Sequence, residues 1–474
     1  MGQEIDHWQF AEADRKAFFE RLLSETQHLT QWEAAGRFLD APATVGYELE
    51  SCLVDQQFRP ADANSEFIQR LSVPAVVPEL ARSNVEFNGP PQELAGDGLL
   101  KLHRELDESL GRAREVARGL GLKILMIGIL PTLREDDLCL QHISESRRYY
   151  AMNSALAELR GSETVRLHIR GNRREPVVGA QEYRGEFDSI MPESATTSFQ
   201  LHMRLPVSYA AAWYNASLLA SAPVLAVSAN APLLFGHDLW AETRIPVFSQ
   251  SVNVPGVHYV NFGQDYLRTE VSELFERNLR YPPLLPVAME ERGLPHLKLH
   301  NGTIWRWNRV ILDGDDDEPP RQHLHYRLEH RSLPSGPSTI DMVANAAFFW
   351  GLMTALSETD PGISFHRARL NFYRAARYGM DARLRWRDGR EYAACELIEA
   401  QLLPAARQGL IRMNVNGDAI QHYLGVIRER VRRGLSGAGW QRAWLRRHGG
   451  GISDMLAAYE AHQWSGRPVA EWEI

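Results

Sequence analysis

Val45-Gly46-Tyr47-Glu48-Leu49-Glu50 alternates apolar and polar residues, and that alternation decides how the chain folds. Successive side chains of a strand point to opposite faces, so Glu48 and Glu50 share one face, roughly 7 Å apart, and Leu49 takes the other. Three further segments repeat the pattern: Asn84-Val85-Glu86-Phe87-Asn88, Ser198-Phe199-Gln200-Leu201-His202-Met203-Arg204 and Tyr326-Arg327-Leu328-Glu329-His330-Arg331. Each reads as a strand. If the four share a sheet, Leu49, Phe87, Leu201 and Leu328 pack a core. The opposite face carries Glu48, Glu50, Glu86, His202, Arg327, Glu329 and Arg331, a set able to hold metal ions and phosphates. His330 departs from the pattern, being polar where a buried back face suits an apolar residue.

Around these strands, the coarse reading is α+β with a largely antiparallel sheet. A helical segment covers residues 4–40, with Phe18, Phe19, Leu22 and Leu23 on one stripe. Gly89-Pro90-Pro91 ends the second strand, because Pro cannot continue a ladder. Helices are expected over 96–120 and 145–160, and an apolar strand over 123–129. Residues 171–176 read as a loop, as does Ser228-Ala229-Asn230-Ala231-Pro232. Asp313 to Pro320 reads as a solvated acidic turn, lacking the alternating oxygen ligands of a calcium loop. A long helix starts near Ser338 or Thr339, with Asp341 in its first turn. Residues 391–474 are mainly helical, and their Arg-rich stretches around 428–433 and 442–447 are read as a solvated face rather than a subunit interface. The stretch from Leu299 to Asn308 either lines a substrate pocket or forms a core-packing hairpin through Trp305 and Trp307.

Composition narrows the function classes. The chain has 474 residues, 44% hydrophobic and 24% charged, an ordinary globular balance. It is long enough for a sizeable core. A net charge of -8 without a long basic run argues against nucleic acid as a partner, since that binding depends on neutralising phosphates. Cys52, Cys139 and Cys395 form no C-x-x-C pair, which argues against zinc and fits a reducing cytoplasm. The first residues include Glu4 and Asp6 and lack a positive segment before an apolar one, so no signal peptide is read. Val207 to Ala229 is uncharged and long enough to span a bilayer. Its Ala and Ser content, Asn215 and a break at Pro223 favour a buried helix followed by a turn, and no membrane partner is expected.

Nothing matches a P-loop, a dinucleotide-binding G-x-G-x-x-G, an H-E-x-x-H or a G-x-S-x-G motif. Glu48 and Glu50 repel unless a proton or cation lies between them. Oxygen ligands suit Mg²⁺ or Mn²⁺, and one imidazole such as His202 tilts the balance slightly to Mn²⁺. A solvated strand face is the alternative. Arg327 and Arg331 flank Glu329 either as a bidentate phosphate clamp or as an internal salt-bridge ladder.

Taken together, the motifs resemble glutamine synthetase and, more closely, the second family of glutamate–cysteine ligases, which are carboxylate–amine ligases. Gly46-Tyr47-Glu48-Leu49-Glu50 resembles that family's G-x-E-x-E strand. Pro78-Glu79-Leu80 through Asn88 is similar to its following E…E segment, and Thr196 to His202 resembles T-S-x-Q-x-H. Ser228-Ala229-Asn230-Ala231-Pro232, with Gly236 and Arg244, is similar to S-A-N-[SA]-P…G…R, and Arg327 to Arg331 matches R-x-E-x-R. Asn371 to Gly379 and Trp440-Gln441-Arg442 resemble the closing motifs. The resemblance implies a curved antiparallel sheet forming a glutamine synthetase-like catalytic funnel, with helices packed outside and ATP and metals on its inner face. On that basis residues 1–40 are an N-terminal helical segment, 41–390 the catalytic part and 391–474 a helical region of the same unit. Glu48, His202 and Glu329 would bind one metal, and Glu50, Glu86 and Glu79 another. Arg327 and Arg331 would contact the transferring phosphate. Arg244, Gln200 and Asn230 would contact ATP or substrate. The implied activity is ATP-dependent joining of a carboxylate, glutamate favoured, to cysteine or another amine. Alternatives are a different acid–amine pair or a non-catalytic nucleotide-binding relative.

Overall fold

All four alternating segments lie in one sheet of a computed structural model, which describes residues 10–172, 175–287, 289, 293–314, 324–449 and 451–474. The main strands are β1 (Thr44–Val54), β2 (Val76–Pro78), β3 (Asn84–Asn88), β4 (Phe199–Arg204), β5 (Asn308–Asp313) and β6 (His325–His330), in the order β5-β6-β4-β1-β3-β2. Every pairing along this path is antiparallel. Short strands Gln92–Glu93 and Lys123–Leu125 also pair with β1. The fold is mixed helix and sheet, with a largely antiparallel sheet.

The helices that bear on the site and its supports are α1 (Glu12–Ala34), α2 (Gly98–Gly119), α3 (Arg147–Arg160), α4 (Ala210–Ser228), α5 (Arg244–Val252), α6 (Pro295–Gly302), α7 (Thr339–Leu356), α8 (Gly417–Arg433), α9 (Gly437–His448) and α10 (Ile452–Gln463). Leu49, Phe87, Leu201 and Leu328 are all buried, as alternation required. Helix α4 packs against β5 and β6, and α7 reaches the sheet through Phe349. Burying each such side chain contributes about 1.5–3 kcal/mol. His330 is accommodated there because its polarity is satisfied. Its Nδ1 lies 2.8 Å from Asn308 Oδ1, its Nε2 lies 3.0 Å from Ser332 Oγ, and its ring stacks on Phe349 of α7 at 4.0 Å.

Several expectations are corrected. α4 does not break at Pro223 but runs through it. Proline removes one helical hydrogen bond, and burial along almost the whole helix holds the geometry. Ser221 and Ser228 donate to carbonyls one turn back, so their hydroxyls cost nothing in the core. α4 and α7 are both apolar enough to cross a membrane, and both are enclosed by protein. The strand expected over 123–129 stops at Leu125, because side chains rather than a ladder take the next backbone groups. Met126 N donates to Gln463 Oε1 at 2.8 Å, and Tyr459 donates to the Met126 carbonyl. Asp313 ends β5 instead of opening an acidic turn, while residues 315–320 of that turn lie outside the described residues. So do Arg173 and Arg174 of the loop at 171–176, and residues 4–9 of the first helical segment. A hairpin of Arg383–Arg385 and Glu391–Ala393 straddles the boundary drawn at residue 390.

The Arg-rich C-terminal part is not simply a solvated face. Arg428, Arg432 and Arg447 are exposed, but Arg430 is fully buried and pairs with Asp341 of α7 at 2.7 Å. Arg442 pairs with buried Asp238, also at 2.7 Å. Asp341 in addition accepts from Ser338 Oγ and Val469 N, and Ser338 caps α7 as the sequence suggested. Replacing Arg430 with Leu leaves Asp341 charged and enclosed without its cation. We expect a loss of about 3–5 kcal/mol, read as a lower urea midpoint. A midpoint equal to that of the parent would show that the pair does not anchor the C-terminal helices.

Candidate active site

Strand register gathers the polar side chains. β1 places Glu50 opposite Glu86 of β3 and Glu48 opposite Gln200 of β4. β6 places Glu329 between His202 of β4 and Arg309 of β5. Residues opposite one another in a ladder project to the same face. Two clusters result. Ligating atoms of Glu48, His202 and Glu329 all lie within 4.8 Å of one another, and so do those of Glu50, Glu79 and Glu86. Glu79 reaches the second cluster from the position just after β2. The carboxylates of both clusters line a cavity of about 560 Å³. Gln200, Arg309, Arg327 and Arg331 complete its sheet side. α3, α5 and α6 close the other side through Tyr149, Phe248 and Lys298, among others.

The first cluster is held charged. Burial alone would raise the pKa of Glu329, but Arg309 and Arg331 beside it hold it well below the usual carboxylate range. Arg309 grips both oxygens of Glu329, at 2.7 and 2.9 Å, and Arg331 lies 3.1 Å from one of them. Burial also opposes ionisation of Glu48, yet His202 and Arg331 bring it down to about 2. The Arg327–Glu329–Arg331 segment therefore does form an ion-pair ladder, with Arg327 on Asp313 at 2.6 Å. Arg327 and Arg331 still face the cavity.

The second cluster is different. Among the described residues, no Lys or Arg forms an ion pair with Glu50, Glu79 or Glu86. Two carboxylate charges about 4 Å apart repel by about 4 kcal/mol at an effective dielectric of 20, more than a hydrogen bond returns. Protons are held instead. Burial, then Glu48 and Glu50, push Glu86 up to about 7. Burial and the neighbouring Glu86, Glu50 and Glu193 push Glu79 well above its ordinary range, and Glu79 and Glu86 share a hydrogen bond. Burial raises Glu50 too, restrained by Arg331 and by the Ser198 N–H at 2.7 Å. Gln200 links the clusters, accepting from Arg331 at 2.6 Å and donating to Glu50 at 3.1 Å.

A divalent cation fits both donor sets. His202 is buried, and its Nε2 makes no well-aligned hydrogen bond although it lies 3.3 Å from Glu48. Its Nδ1 accepts from Arg327. A guanidinium can only donate, so with Nδ1 accepting, a ring proton sits on Nε2, on the Glu48 side. A cation at Nε2 replaces that proton and requires Arg327 to leave Nδ1.

Asn230 and Arg244 are not among the residues that line the cavity, although the charge of Arg244 acts on Glu50. Asn230 is fully buried and does not line the cavity. Its amide donates to the Ser335 carbonyl and Tyr459, and its Oδ1 accepts from Gln441 at 3.0 Å. Arg244 is also enclosed, donating to Glu242 at 2.8 Å and to the Ser332 carbonyl. These residues tie the loops at 228–244 to the strand ends and to the C-terminal helices. The stretch from Leu299 to Asn308 is not a hairpin: Leu299 to Gly302 ends α6 and Trp305–Arg306 pairs in parallel with Val260–Asn261, which leaves Trp305 on the cavity and Trp307 packed on Phe248 and Phe372. Sequence reasoning missed Arg309 and Glu193. Arg309 lies in Asn308 to Asp313, where consecutive Val310, Ile311 and Leu312 hide the two-residue period that burial then shows. Glu193 lies in a short 3₁₀ turn, and burial and Glu50 push it up to about 8.

A family model for glutamate-cysteine ligase family 2 matches residues 44–458. The chain belongs to that family. Among solved structures, the glutamate–cysteine ligase of Francisella tularensis, determined in complex with AMP, has a TM-score of 0.58 at 11% identity, covering 90% of each chain. A bifunctional glutathione synthetase from Pasteurella multocida gives 0.49 at 12% identity, covering 93% of this chain and 54% of that one. No curated protein sequence matches the chain. At such identities the first likeness speaks for the fold. Both three-residue clusters fall inside the segment matched to the family.

The raised carboxyls fix the sign of a pH effect. Glu86 has a folded-state pKa of about 7 against an ordinary 4.5. Its stabilising contribution is full below about 4.5 and is lost as pH rises through about 7, so the metal-free protein weakens over that window. A cation at this cluster displaces protons, so affinity rises with pH over the same range. Calorimetry of Mn²⁺ binding at pH 6.5, in two buffers of different ionisation enthalpy, should give different heats. Identical heats would mean that no proton leaves.

Proposed function

We propose that the protein is an ATP-dependent ligase that phosphorylates a substrate carboxylate, glutamate favoured, and joins it to cysteine or another amino compound as an amide. Family membership supports the reaction class. The observation that carries the reading is an adjacency: two three-residue clusters, linked by Gln200, face one cavity beside Arg309, Arg327 and Arg331. The free cysteines suit a reducing cytoplasm.

A carboxylate is a poor electrophile because its leaving group would be oxide. In the first step one carboxylate oxygen bonds to the γ-phosphorus of ATP as the bond to the ADP oxygen breaks, giving an acyl phosphate. In the second, the amine nitrogen bonds to the acyl carbon, inorganic phosphate leaves, and the nitrogen gives up a proton. Catalysis of such transfers is mostly positioning and charge neutralisation. Mg²⁺ or Mn²⁺ bound by Glu48, His202 and Glu329, and by Glu50, Glu79 and Glu86, would neutralise phosphate oxygens. Arg327, Arg331 and Arg309 supply the remaining positive charge. Each is occupied by Asp313, Glu329, Gln200 or His202 in the metal-free arrangement, and each becomes available to phosphate oxygens as those partners turn to a cation. The cavity carboxylates offer acceptors for the proton of the amine.

Incubation with ATP, Mg²⁺ or Mn²⁺ and a panel of acids and amines, followed by product mass, tests the reading. ADP should form only with a matched acid–amine pair. Nucleotide binding with no ADP under any pair would favour a non-catalytic relative. Glu86→Gln mimics the protonated acid, so metal-free melting should hold or rise while stabilisation by Mn²⁺ falls. A variant that still gains stability from Mn²⁺ would remove Glu86 from the ligand set. Arg331→Ala should lower turnover by on the order of 10²-fold or more, and undiminished turnover in a folded variant would exclude it from the chemistry.

A further inference from the structure

Behind the cavity wall, Arg306 is a buried charge with no counter-ion. It lies in the two-residue strand Trp305–Arg306, which runs parallel to Val260–Asn261. Alternation sends Trp305 to the cavity and Arg306 the other way. Arg306 is 3% exposed, and its Nε and Nη2 have no hydrogen-bond partner. Among the described residues, no carboxylate pairs with it and no aromatic face carries it. A buried guanidinium without an anion costs several kcal/mol, far more than a neutral group left unpaired.

The side chains that feel the Arg306 charge, Tyr214 and His300, are polar and carry no charge of their own. Tyr214 of α4 is fully buried with an unpartnered hydroxyl and feels the Arg306 charge. The nearby His300 of α6 donates from Nε2 to the Asn278 carbonyl at 3.0 Å. Burial, reinforced by Arg306, pushes its pKa down to about 4, so it is neutral and leaves Nδ1 as a free acceptor. Asn278 Oδ1 is unpartnered as well. Arg277, the other cation acting on Tyr214, is already neutralised by Glu273 at 3.0 Å. Waters could satisfy these hydrogen bonds, but they could not balance the charge.

We propose that a small monovalent anion of chloride size is the counter-ion of Arg306. The Arg306 Nε and Nη2 groups are the donors, and the unpartnered Tyr214 hydroxyl, His300 Nδ1 and Asn278 Oδ1 are the other unsatisfied polar groups in this part of the fold. The site assigns a role to the polar part of the Leu299 to Asn308 stretch that the ligase reading does not use. Its occupant pins the segment carrying Trp305, which lines the cavity, and leads into Arg309, which grips Glu329. The inference does not depend on which substrates are joined.

The full chain is tested in two ways. Crystals soaked in sodium bromide should give an anomalous peak in contact with the Arg306 guanidinium. Melting at constant ionic strength should rise by about 2 °C or more as chloride replaces gluconate, a much bulkier anion. Arg306→Met should fold at least as stably in gluconate and lose the chloride response. Water at the site with no bromide peak would overturn the proposal, and so would an undiminished chloride response in Arg306→Met. If that variant fails to fold, the bromide peak and the parent's chloride response decide.

Discussion

The burial of like charges on one face of an antiparallel sheet is the constraint on which the rest of the site depends. Glu48 and Glu50 alternate with buried Leu49, so the packing that puts Leu49 in the core forces both carboxylates to the other face. A one-residue slip would bury them in the core instead. The ladders then bring Glu86, His202 and Glu329 beside them. The protein meets the repulsion differently at the two ends. Guanidinium groups hold the first cluster ionised, while the second keeps protons that burial and mutual repulsion retain. Under the proposed function, cations and phosphate would replace contacts that neutralise this surface.

The outer helices exist in part to keep that face in register. Lys123 pairs with Glu460 of α10 at 2.7 Å, and Gln463 and Tyr459 take the backbone of Met126. The strand Lys123–Leu125, bonded to β1, is thereby fixed to the C-terminal helices. Asn230 meets Gln441 and Tyr459 at the same junction. The closing Trp-Gln-Arg motif is thus a structural lock, with Trp440 against Tyr459 and Trp472, Gln441 on Asn230 and Arg442 on Asp238. It supports the cavity from outside without lining it.

Much of this was legible in the sequence, for a physical reason. Period-two alternation is a local property, so β1, β3, β4 and β6 and the faces of their residues could be read directly. Family resemblance then joined Glu48, His202 and Glu329, and Glu50, Glu79 and Glu86, into the two sets that the strands bring together. What could not be read depends on contacts distant in the chain. Asn230 and Arg244 sit in motifs, but their enclosure, by Gln441 and Tyr459 for one and by the Ser332 carbonyl for the other, comes from distant parts of the chain. Arg309 was hidden because its significance comes from standing opposite Glu329, 20 residues away. Pro223 was overread, because its local cost is outweighed by burial of the whole helix.

The central claim is that this sheet face holds two divalent cations. Diffraction at the manganese edge from crystals grown with Mn²⁺ and a non-hydrolysable ATP analogue tests it most directly. Two anomalous peaks are predicted, one among Glu48, His202 and Glu329 and the other among Glu50, Glu79 and Glu86, with Arg327 withdrawn from His202. A bound nucleotide with no peak at either set, and Arg309 still closed on Glu329, would contradict the account.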